Sequence, residues 1–371
     1  MPVAPPTHPA APGAPSRNGP AGGGRSRRAA TARRTALLCA AAAALVLAAL
    51  LSLAVGARAI APGEVAHVLL HGGGSGGTGS HQSGAQSDAA EVISTLRLPR
   101  TLVGLLVGAA LGVAGAVMQG LTRNPIAEPG VLGVAQGASV GVLCAITFAG
   151  VHGLAGSVWF AFAGAGIAGV VVYAIAARGR GGATPVKLAL AGAAVNALLL
   201  SVVSAILTTR AAALDEFRFW QVGSLSGRDA AIAGQLWPFL VAGLLLVLAS
   251  ARGLDALALG EDAAKGLGQN VAAVRVVGGL GATVLTGAGV AAAGPIAFVG
   301  LAVPHIARAL VGGGHRWLLP MSTLLGPVVL LVSDVVGRIL VPPGEVPAGV
   351  MTALLGVPFL VALVRRRVVA A

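Results

Sequence analysis

Long apolar runs alternate along this chain with short connections that are polar or rich in Gly and Pro. A helix needs roughly 20 apolar residues to cross about 30 Å of hydrocarbon. The pattern therefore predicts about ten membrane-spanning helices, of which the eighth is short. We place them at residues 36–55, 101–119, 131–149, 154–176, 186–207, 232–249, 276–293, 295–310, 318–340 and 346–364.

Composition places the chain among integral membrane proteins. Hydrophobic residues make up 56% and charged residues only 10%, and the mean hydropathy is +0.87, whereas charged residues alone reach about 25% in soluble proteins. The predicted fold class is an all-α polytopic membrane protein. Residues 1–34, rich in Pro, Ala, Gly and Arg, are predicted to be a disordered basic cytoplasmic tail. Residues 35–371 are predicted to form one transmembrane domain.

The distribution of Lys and Arg predicts the orientation of the chain. With an even number of spans and the N-terminus inside, 18 of the 25 basic residues fall on the cytoplasmic side, which favours two cytoplasmic termini in the cell membrane. The net charge of +13 then reflects topology and anionic lipid, not nucleic acid. A signal peptide cleaved near residues 57–59 is an alternative, although the first apolar run exceeds the usual signal core. The Gly/Ser-rich stretch 72–84 is expected to be a passive external loop.

Motifs for enzymatic chemistry are missing from the sequence. There is no GxxxxGK[ST] phosphate-binding loop, and residues 260–266 resemble one only superficially. Cys39 and Cys144 lie in predicted spans and are expected to be packing residues. No two histidines have ligand spacing on one helix, so neither a metal nor a cofactor is expected. The chain is not predicted to be an enzyme, and any dependence on ATP must come from a partner.

Small residues and intramembrane charges carry more information. Gly104, Gly108, Gly112 and Gly115 are spaced so that neighbouring helix backbones can approach closely. Asp334 and Arg338 are four residues apart on one helical face and can pair, and from the residues alone this pair is as consistent with a structural role as with a functional one. Two further arginines share a face just before the second span and, taken alone, are typical of side chains that reach the membrane surface. They are Arg97 and Arg100.

Several ordered motifs together resemble a known family. Arg97-Leu98-Pro99-Arg100 precedes GAVMQ at 115–119 and RNPIAEPG at 123–130, and later come GPIAFVGL at 294–301, Pro304-His305 and EVPAGV at 345–350. In this order they resemble the FecCD-type permeases of ABC importers for iron-siderophores, haem and vitamin B12. The resemblance extends over about residues 36–367.

The resemblance implies an architecture of ten helices in the type II ABC importer class and a set of partners. A second permease subunit, identical or different, would complete the substrate path. An extracytoplasmic binding protein would deliver substrate, and two cytoplasmic ATP-binding subunits would supply energy. Arginines that match Arg97, Arg100 and Arg338 dock the binding protein in the B12 relative.

Two cytoplasmic segments also receive roles from the resemblance. The stretch 259–269 resembles the coupling segment that inserts into the ATPase, with Gly260, Glu261, Asp262, Ala264, Lys265, Gly266 and Gly268 as its members. Asn124, Pro125 and Ile126 match the inner gate. A second gate segment has hydroxyl residues in the B12 relative, whereas this chain has Pro185 and Val186.

The substrate is predicted less directly. Trp220-Gln221-Val222-Gly223-Ser224-Leu225 looks like the siderophore members of the family, which favours ferric siderophore over haem or cobalamin. The mechanism implied is alternating access through a smooth, weakly binding wall. A secondary transporter coupled to an ion gradient is the alternative from another class, but it should carry several intramembrane charge relays. Asp334 is the only carboxylate that we identify within the spans. A membrane scaffold would not need an ATPase-facing loop.

Overall fold

The computed structural model describes residues 23–56, 60–71, 90–151, 154–179, 184–210, 214, 217–218, 220–342 and 344–369. Within these ranges every regular element is a helix. The first 22 residues of the predicted tail, the alternative cleavage site at 57–59 and the loop 72–84 lie outside the described residues.

The described helices follow one another along the chain with short connections. They are α1 (Gly23–Ala54), α2 (Pro62–His71), α3 (Leu98–Thr122), α4 (Val134–Phe148), α5 (Leu154–Ala177), α6 (Pro185–Thr209), α7 (Ala230–Leu257), α8 (Glu261–Gly266), α9 (Val271–Ala293), α10 (Val299–Val311), α11 (His315–Leu340) and α12 (Ala348–Val369). A π-helical turn, Ile93–Arg97, leads into α3, and a 3₁₀ turn, Pro129–Leu132, leads into α4.

The prediction of an all-helical membrane protein with about ten spans is confirmed. Among the described residues seven helices are long and apolar enough to cross a membrane, namely α1, the segment ending in α3, α5, α6, α7, α9 and α11. The other three predicted spans correspond to shorter apolar helices, which are α4, α10 and the described apolar part of α12. Helix α2 was not predicted from the sequence.

The first helix begins earlier than the apolar pattern indicated. It starts at Gly23, so that residues 23–34, placed in the tail by the sequence, continue the helix of the first span. Ala and Arg are among the strongest helix formers, and the last proline before this stretch is Pro20. Helix propensity therefore extends the helix beyond the hydrocarbon-crossing region.

Side-chain caps fix the start of three later helices. Asp229 accepts a hydrogen bond from the N–H of Ile232 at 3.0 Å before α7, and Asn270 accepts one from Ala273 at 3.0 Å before α9. Thr184 caps α6 in the same way. These side chains satisfy N–H groups that have no partner within the helix.

Helix α3 is the most buried of the long helices and forms the centre of the bundle. Its glycines face α10 and α11 at backbone contact. A Cβ on Gly108 would lie 2.6 Å from the backbone nitrogen of Pro327, and one on Gly115 would collide with the backbone of Gly300. The predicted use of small residues for close helix packing therefore matches the contacts of this helix.

Helices α4 and α10 are too short to cross a bilayer alone. Their 15 and 13 residues extend about 22 Å and 20 Å at 1.5 Å per residue, less than the roughly 30 Å of hydrocarbon. Non-helical backbone at 123–128 and 294–298 supplies the remainder. The predicted third and eighth spans therefore include residues that are not α-helical in the structure.

Both breaks lie at the same depth. A Cβ on Gly300 would lie 3.0 Å from Pro129 and 3.3 Å from the carbonyl of Leu111, and Gly300 also touches Gly115. Leu111 and Gly115 are roughly 10–17 Å from the end of α3 at Thr122. Irregular backbone at such a depth is tolerated only where protein or water covers it.

Candidate substrate path and partner surfaces

The two ends of the bundle carry different groups. We call the end that holds Arg100 and Arg338 the arginine end, and the opposite end, where α7 leads into α8, the α8 end. The three residues predicted to dock a binding protein lie together at the arginine end, each less than 10% exposed. The structure therefore brings Arg97, Arg100 and Arg338 together but turns them toward the protein.

A fully buried carboxylate joins two of these arginines. Asp334 accepts hydrogen bonds from Arg100 through Nη2 at 2.8 Å and Nε at 3.0 Å. It also pairs with Arg338, whose Nε lies 3.1 Å from it. Arg100 Nη1 contacts Glu345 at 2.7 Å. Charge-assisted, bidentate contacts of this kind fix both distance and direction, so this network locks α3 against α11.

The same arginines hold the C-terminal end of α1. Arg97 Nη1 donates to the carbonyls of Leu53 at 2.7 Å and Ala54 at 2.8 Å, and Arg338 Nη1 donates to the carbonyl of Ser52 at 2.7 Å. The last carbonyls of a helix have no partner within it and carry partial negative charge. The arginines thus satisfy these acceptors, a role that the sequence pattern did not indicate.

A cleft of about 410 Å³ opens beside this network and adds a fourth arginine. Arg228 is 4% exposed and donates through Nε to the carbonyl of Ser224 at 3.1 Å. Its Nη1 has no hydrogen-bond partner among the described residues. Burial lowers the pKa of the Arg228 guanidinium to about 10, although Asp229 opposes the shift. Sequence reasoning missed Arg228, because one arginine in a loop carries no motif.

Helix α8 forms an exposed projection at the α8 end. Of its predicted coupling residues Gly266, Gly268, Asp262 and Lys265 are exposed, whereas Ala264 is fully buried and supports the segment from beneath. Two leucines of the predicted segment 259–269 that were not singled out as coupling residues, Leu259 and Leu267, flank the helix and are 70% and 63% exposed. The projection therefore combines polar residues with an unpaired apolar surface.

An ion pair anchors this projection to the bundle. Glu261 pairs with Arg275 of α9, and Gly260 adopts a φ of 113°, a left-handed conformation that glycine permits at low cost. Together they set the angle between α7 and α8. Helix α8 is therefore joined to α9 by a charged contact as well as by the backbone.

The predicted gate residues form a tight turn after α3. Asn124 Oδ1 accepts a hydrogen bond from the N–H of Ile126 at 3.1 Å, and the Asn124 carbonyl accepts one from Ala127 at 3.1 Å. Pro125 restricts the backbone between them. Asn124 and Ile126 are exposed, so that the turn presents both side chains at the α8 end.

A second carboxylate lies in this connection, deeper than the turn. The Glu128 carboxylate accepts a hydrogen bond from the N–H of Phe298 at 3.1 Å, where α10 begins. It thus caps a half-length helix and joins the two backbone breaks. The expectation that Asp334 is the only carboxylate at membrane depth is incomplete, because Glu128 lies in a polar connection that hydropathy does not assign to a span.

Comparisons with known proteins agree with this arrangement. A family model described as the FecCD transport family matches residues 44–366. The chain is 43% identical over 322 residues to the ferric enterobactin transport system permease protein FepD of Escherichia coli, covering 86% of this chain and 92% of FepD. It is 42% identical to the iron(3+)-hydroxamate import system permease protein FhuB of Bacillus subtilis, covering 86% and 80%.

One more sequence relative and one solved structure extend the comparison. The cobalamin import system permease protein BtuC of Halobacterium salinarum is 39% identical, covering 78% of each chain. A metal-chelate type ABC transporter in an inward-facing conformation superposes with a TM-score of 0.75 at 29% identity, covering 90% of this chain and 99% of that one. On the family match and these identities, the chain belongs to the FecCD transport family.

Proposed function

We propose that the chain is the permease subunit of an ABC importer that carries ferric siderophores across the cell membrane. The observation that carries this proposal is the FecCD match over residues 44–366, together with relatives named for ferric enterobactin and iron(3+)-hydroxamate. Cobalamin is a second candidate substrate, because a cobalamin permease is 39% identical. In this reading a second permease, identical or different, completes the path.

The α8 end is proposed to bind the ATP-binding subunits. The exposed leucines Leu259 and Leu267 and the polar rim of α8 support this, since apolar residues bordered by charges are typical of a protein interface. On this proposal the α8 end and both termini lie in the cytoplasm, which the bias of Lys and Arg favours.

The arginine end is proposed to receive the binding protein that delivers substrate. Arg97, Arg100 and Arg338 line the cleft of about 410 Å³ beside Arg228, so a carboxylate of the carrier would reach them by entering that cleft. Their buried contacts with Asp334 and the end of α1 hold the cleft in shape. Docking by these arginines therefore depends on the internal network as well as on the carrier.

The proposed transport cycle is alternating access. ATP binding closes the two ATP-binding subunits and moves α8, which is tied to α9 through Glu261 and Arg275. Helix α9 leads directly into the break at 294–298, where Glu128 holds Phe298. The gate turn at 124–126 lies on the same connection as Glu128. A displacement at α8 can thus reach the gate along described contacts.

The test is ATP-driven uptake of iron-labelled siderophore by the complete importer in proteoliposomes. Leu267→Asp should abolish uptake and the binding of the ATP-binding subunit, because it places a charge in an apolar contact. Leu267→Met keeps the apolar surface and should retain both. Uptake by the permease alone, driven by an ion gradient without ATP, would refute the proposal.

A further inference from the structure

A groove of about 430 Å³ lies between α1 and α11. Both helices begin at the α8 end, because Arg338 near the end of α11 holds the carbonyl of Ser52 near the end of α1. The groove lies near their beginnings, and its lining residues are three and four positions apart, so that each helix contributes a single face. The lining includes Leu38, Cys39 and Ala42 of α1 and Pro320, Thr323 and Leu324 of α11.

The wall of this groove is apolar. Its two hydroxyl groups donate to their own helices, Thr35 to the carbonyl of Thr31 at 3.1 Å and Thr323 to the carbonyl of Leu319 at 2.9 Å. From Thr35 to Ala42 the groove follows α1 for about 10 Å, which is about two thirds of one leaflet of a hydrocarbon layer about 30 Å thick. These dimensions suit part of one acyl chain.

The groove opens outward from the bundle. Helix α1 packs mainly against α11, and its apolar side chains Val46, Leu47 and Leu50 are exposed. Cys39 and Pro320, on the two sides of the groove, are exposed as well, although Cys39 was expected from the sequence to be a packing residue. In a membrane-spanning chain such a face meets lipid tails.

Two arginines border the groove at its end nearest the membrane surface. Arg34 directly precedes Thr35, and Arg316 lies about one helical turn before Pro320. The guanidinium carbon of each lies 6.0 Å from the centre of the Trp317 ring, within the range of a cation–π contact. Neither arginine pairs with a carboxylate within the described ranges.

Two more arginines extend the positive charge along the first turns of α1. Arg28 and Arg33 are exposed, and Arg33 Nη2 donates to the carbonyl of Leu310 in the last turn of α10 at 3.4 Å. The groove thus has a cluster of arginines at its head and an apolar wall along its length. A phospholipid presents its phosphate and its acyl chain in the same order.

We propose that this groove binds one anionic phospholipid from the leaflet at the α8 end. Its phosphate lies at Arg34 and Arg316, and one acyl chain lies along Leu38, Ala42 and Leu324. Charge complementarity selects this occupant, since basic pockets between membrane helices bind anionic headgroups. A free phosphate ion would meet the arginines but leave the apolar groove empty. The site does not depend on which substrate the importer carries.

The experiment is photo-crosslinking of the complete importer in vesicles of phosphatidylcholine. One probe is a phosphatidylglycerol with a diazirine on one acyl chain, and the other is the phosphatidylcholine with the same labelled chain. Each is added as a small fraction of the lipid, and crosslinked peptides are quantified by mass spectrometry. Peptides that contain residues 35–42 or 320–324 should carry at least about fivefold more of the anionic probe, the effect of one arginine near an anionic headgroup.

Two pairs of variants separate the charge from the groove. Arg34→Gln together with Arg316→Gln should bring the ratio of the two probes close to one. Arg252→Gln is the matched control, because it removes an exposed charge of α7 at the same end of the bundle and should leave the ratio unchanged. Cys39→Trp fills the groove and should lower the yield of the anionic probe at 320–324 severalfold, whereas Ala40→Trp, at the next exposed position of α1, should not.

The ratio is read within each variant, so a partial loss of folded protein lowers both yields and leaves the ratio unchanged. Equal yields of the two probes in the parent would overturn the proposal, as would a ratio that the double arginine variant does not change. Absence of both probes from these peptides would show that a segment of this chain or another subunit covers the groove, and would overturn it too. ATP-driven uptake of siderophore in the same vesicles tests the transport function separately.

Discussion

Removing the buried negative charge of Asp334 is the most direct test of the ion-pair network at the arginine end. Asp334→Asn removes a negative charge that is fully buried and shared by two guanidinium groups. The side chain keeps nearly the same volume, so packing is preserved. Arg100 and Arg338 are left facing each other with their common counter-ion gone.

The expected loss of stability depends on the contacts that each arginine keeps in the variant. Removing one partner of a buried ion pair costs about 3–5 kcal/mol. Arg100 keeps Glu345 at 2.7 Å and Arg338 keeps the carbonyl of Ser52 at 2.7 Å, so we expect the lower end, about 3 kcal/mol. Unfolding entropy of about 2.1 cal/mol/K per residue gives about 0.8 kcal/mol/K for the chain, and therefore a fall in Tm of about 4 °C.

The assay is thermal unfolding of the purified protein in detergent, followed by circular dichroism of its helices. Asp262→Asn is the matched control, because that carboxylate is fully exposed on α8 and its Tm should stay within about 1 °C of the parent. The Tm of the double variant Asp334→Asn, Arg338→Gln should fall by less than the sum of the falls in the two single variants, because a charge is removed together with its counter-ion. A Tm of Asp334→Asn equal to that of the parent would refute the reasoning.

Three further predictions concern other parts of the bundle. Gly115→Ala should lower the Tm clearly more than Gly130→Ala in the same melts, because the added Cβ meets the backbone of α10 at the first position and nothing within 4 Å at the second. Glu261→Arg should uncouple ATP hydrolysis from uptake while permease dimers stay intact, because it breaks the ion pair with Arg275. The double variant Glu261→Arg, Arg275→Glu should restore coupling, because it rebuilds the same pair with the charges reversed. Arg228→Met should lower the Tm less than the same change at Arg100 or Arg338, each of which binds the Asp334 carboxylate. The reason is that one nitrogen of Arg228 has no partner among the described residues.

The apolar pattern could predict the number of helices because crossing a bilayer requires length and composition, both of which are local properties. It could not predict where two of them break. Residues 131–133 and 295–298 are largely apolar and so extend the predicted spans, whereas the backbone there is set by Pro129, Gly294 and Pro295 and by contacts with α3. Such contacts join residues that are far apart in the chain.

The roles of individual charges were predicted least well for the same reason. Arg100 was placed at the outer surface from its position before an apolar run, yet its partners Asp334 and Glu345 lie 234 and 245 residues away. The docking role of the arginines stays a prediction. Glu128 was passed over because it lies between two prolines in a connection outside the predicted spans, and only the fold brings it to Phe298.

The half-length helices constrain how the protein is made. A segment of 15 or 13 residues emerging from the ribosome cannot settle across a bilayer by itself, because its ends would leave backbone amides in the acyl chains. Each one packs against the long helix that follows it, α5 after α4 and α11 after α10. We therefore expect each half-length helix to enter the membrane as a hairpin with the helix that follows it, and a truncation that ends directly after α4 or α10 should leave that helix outside the bilayer.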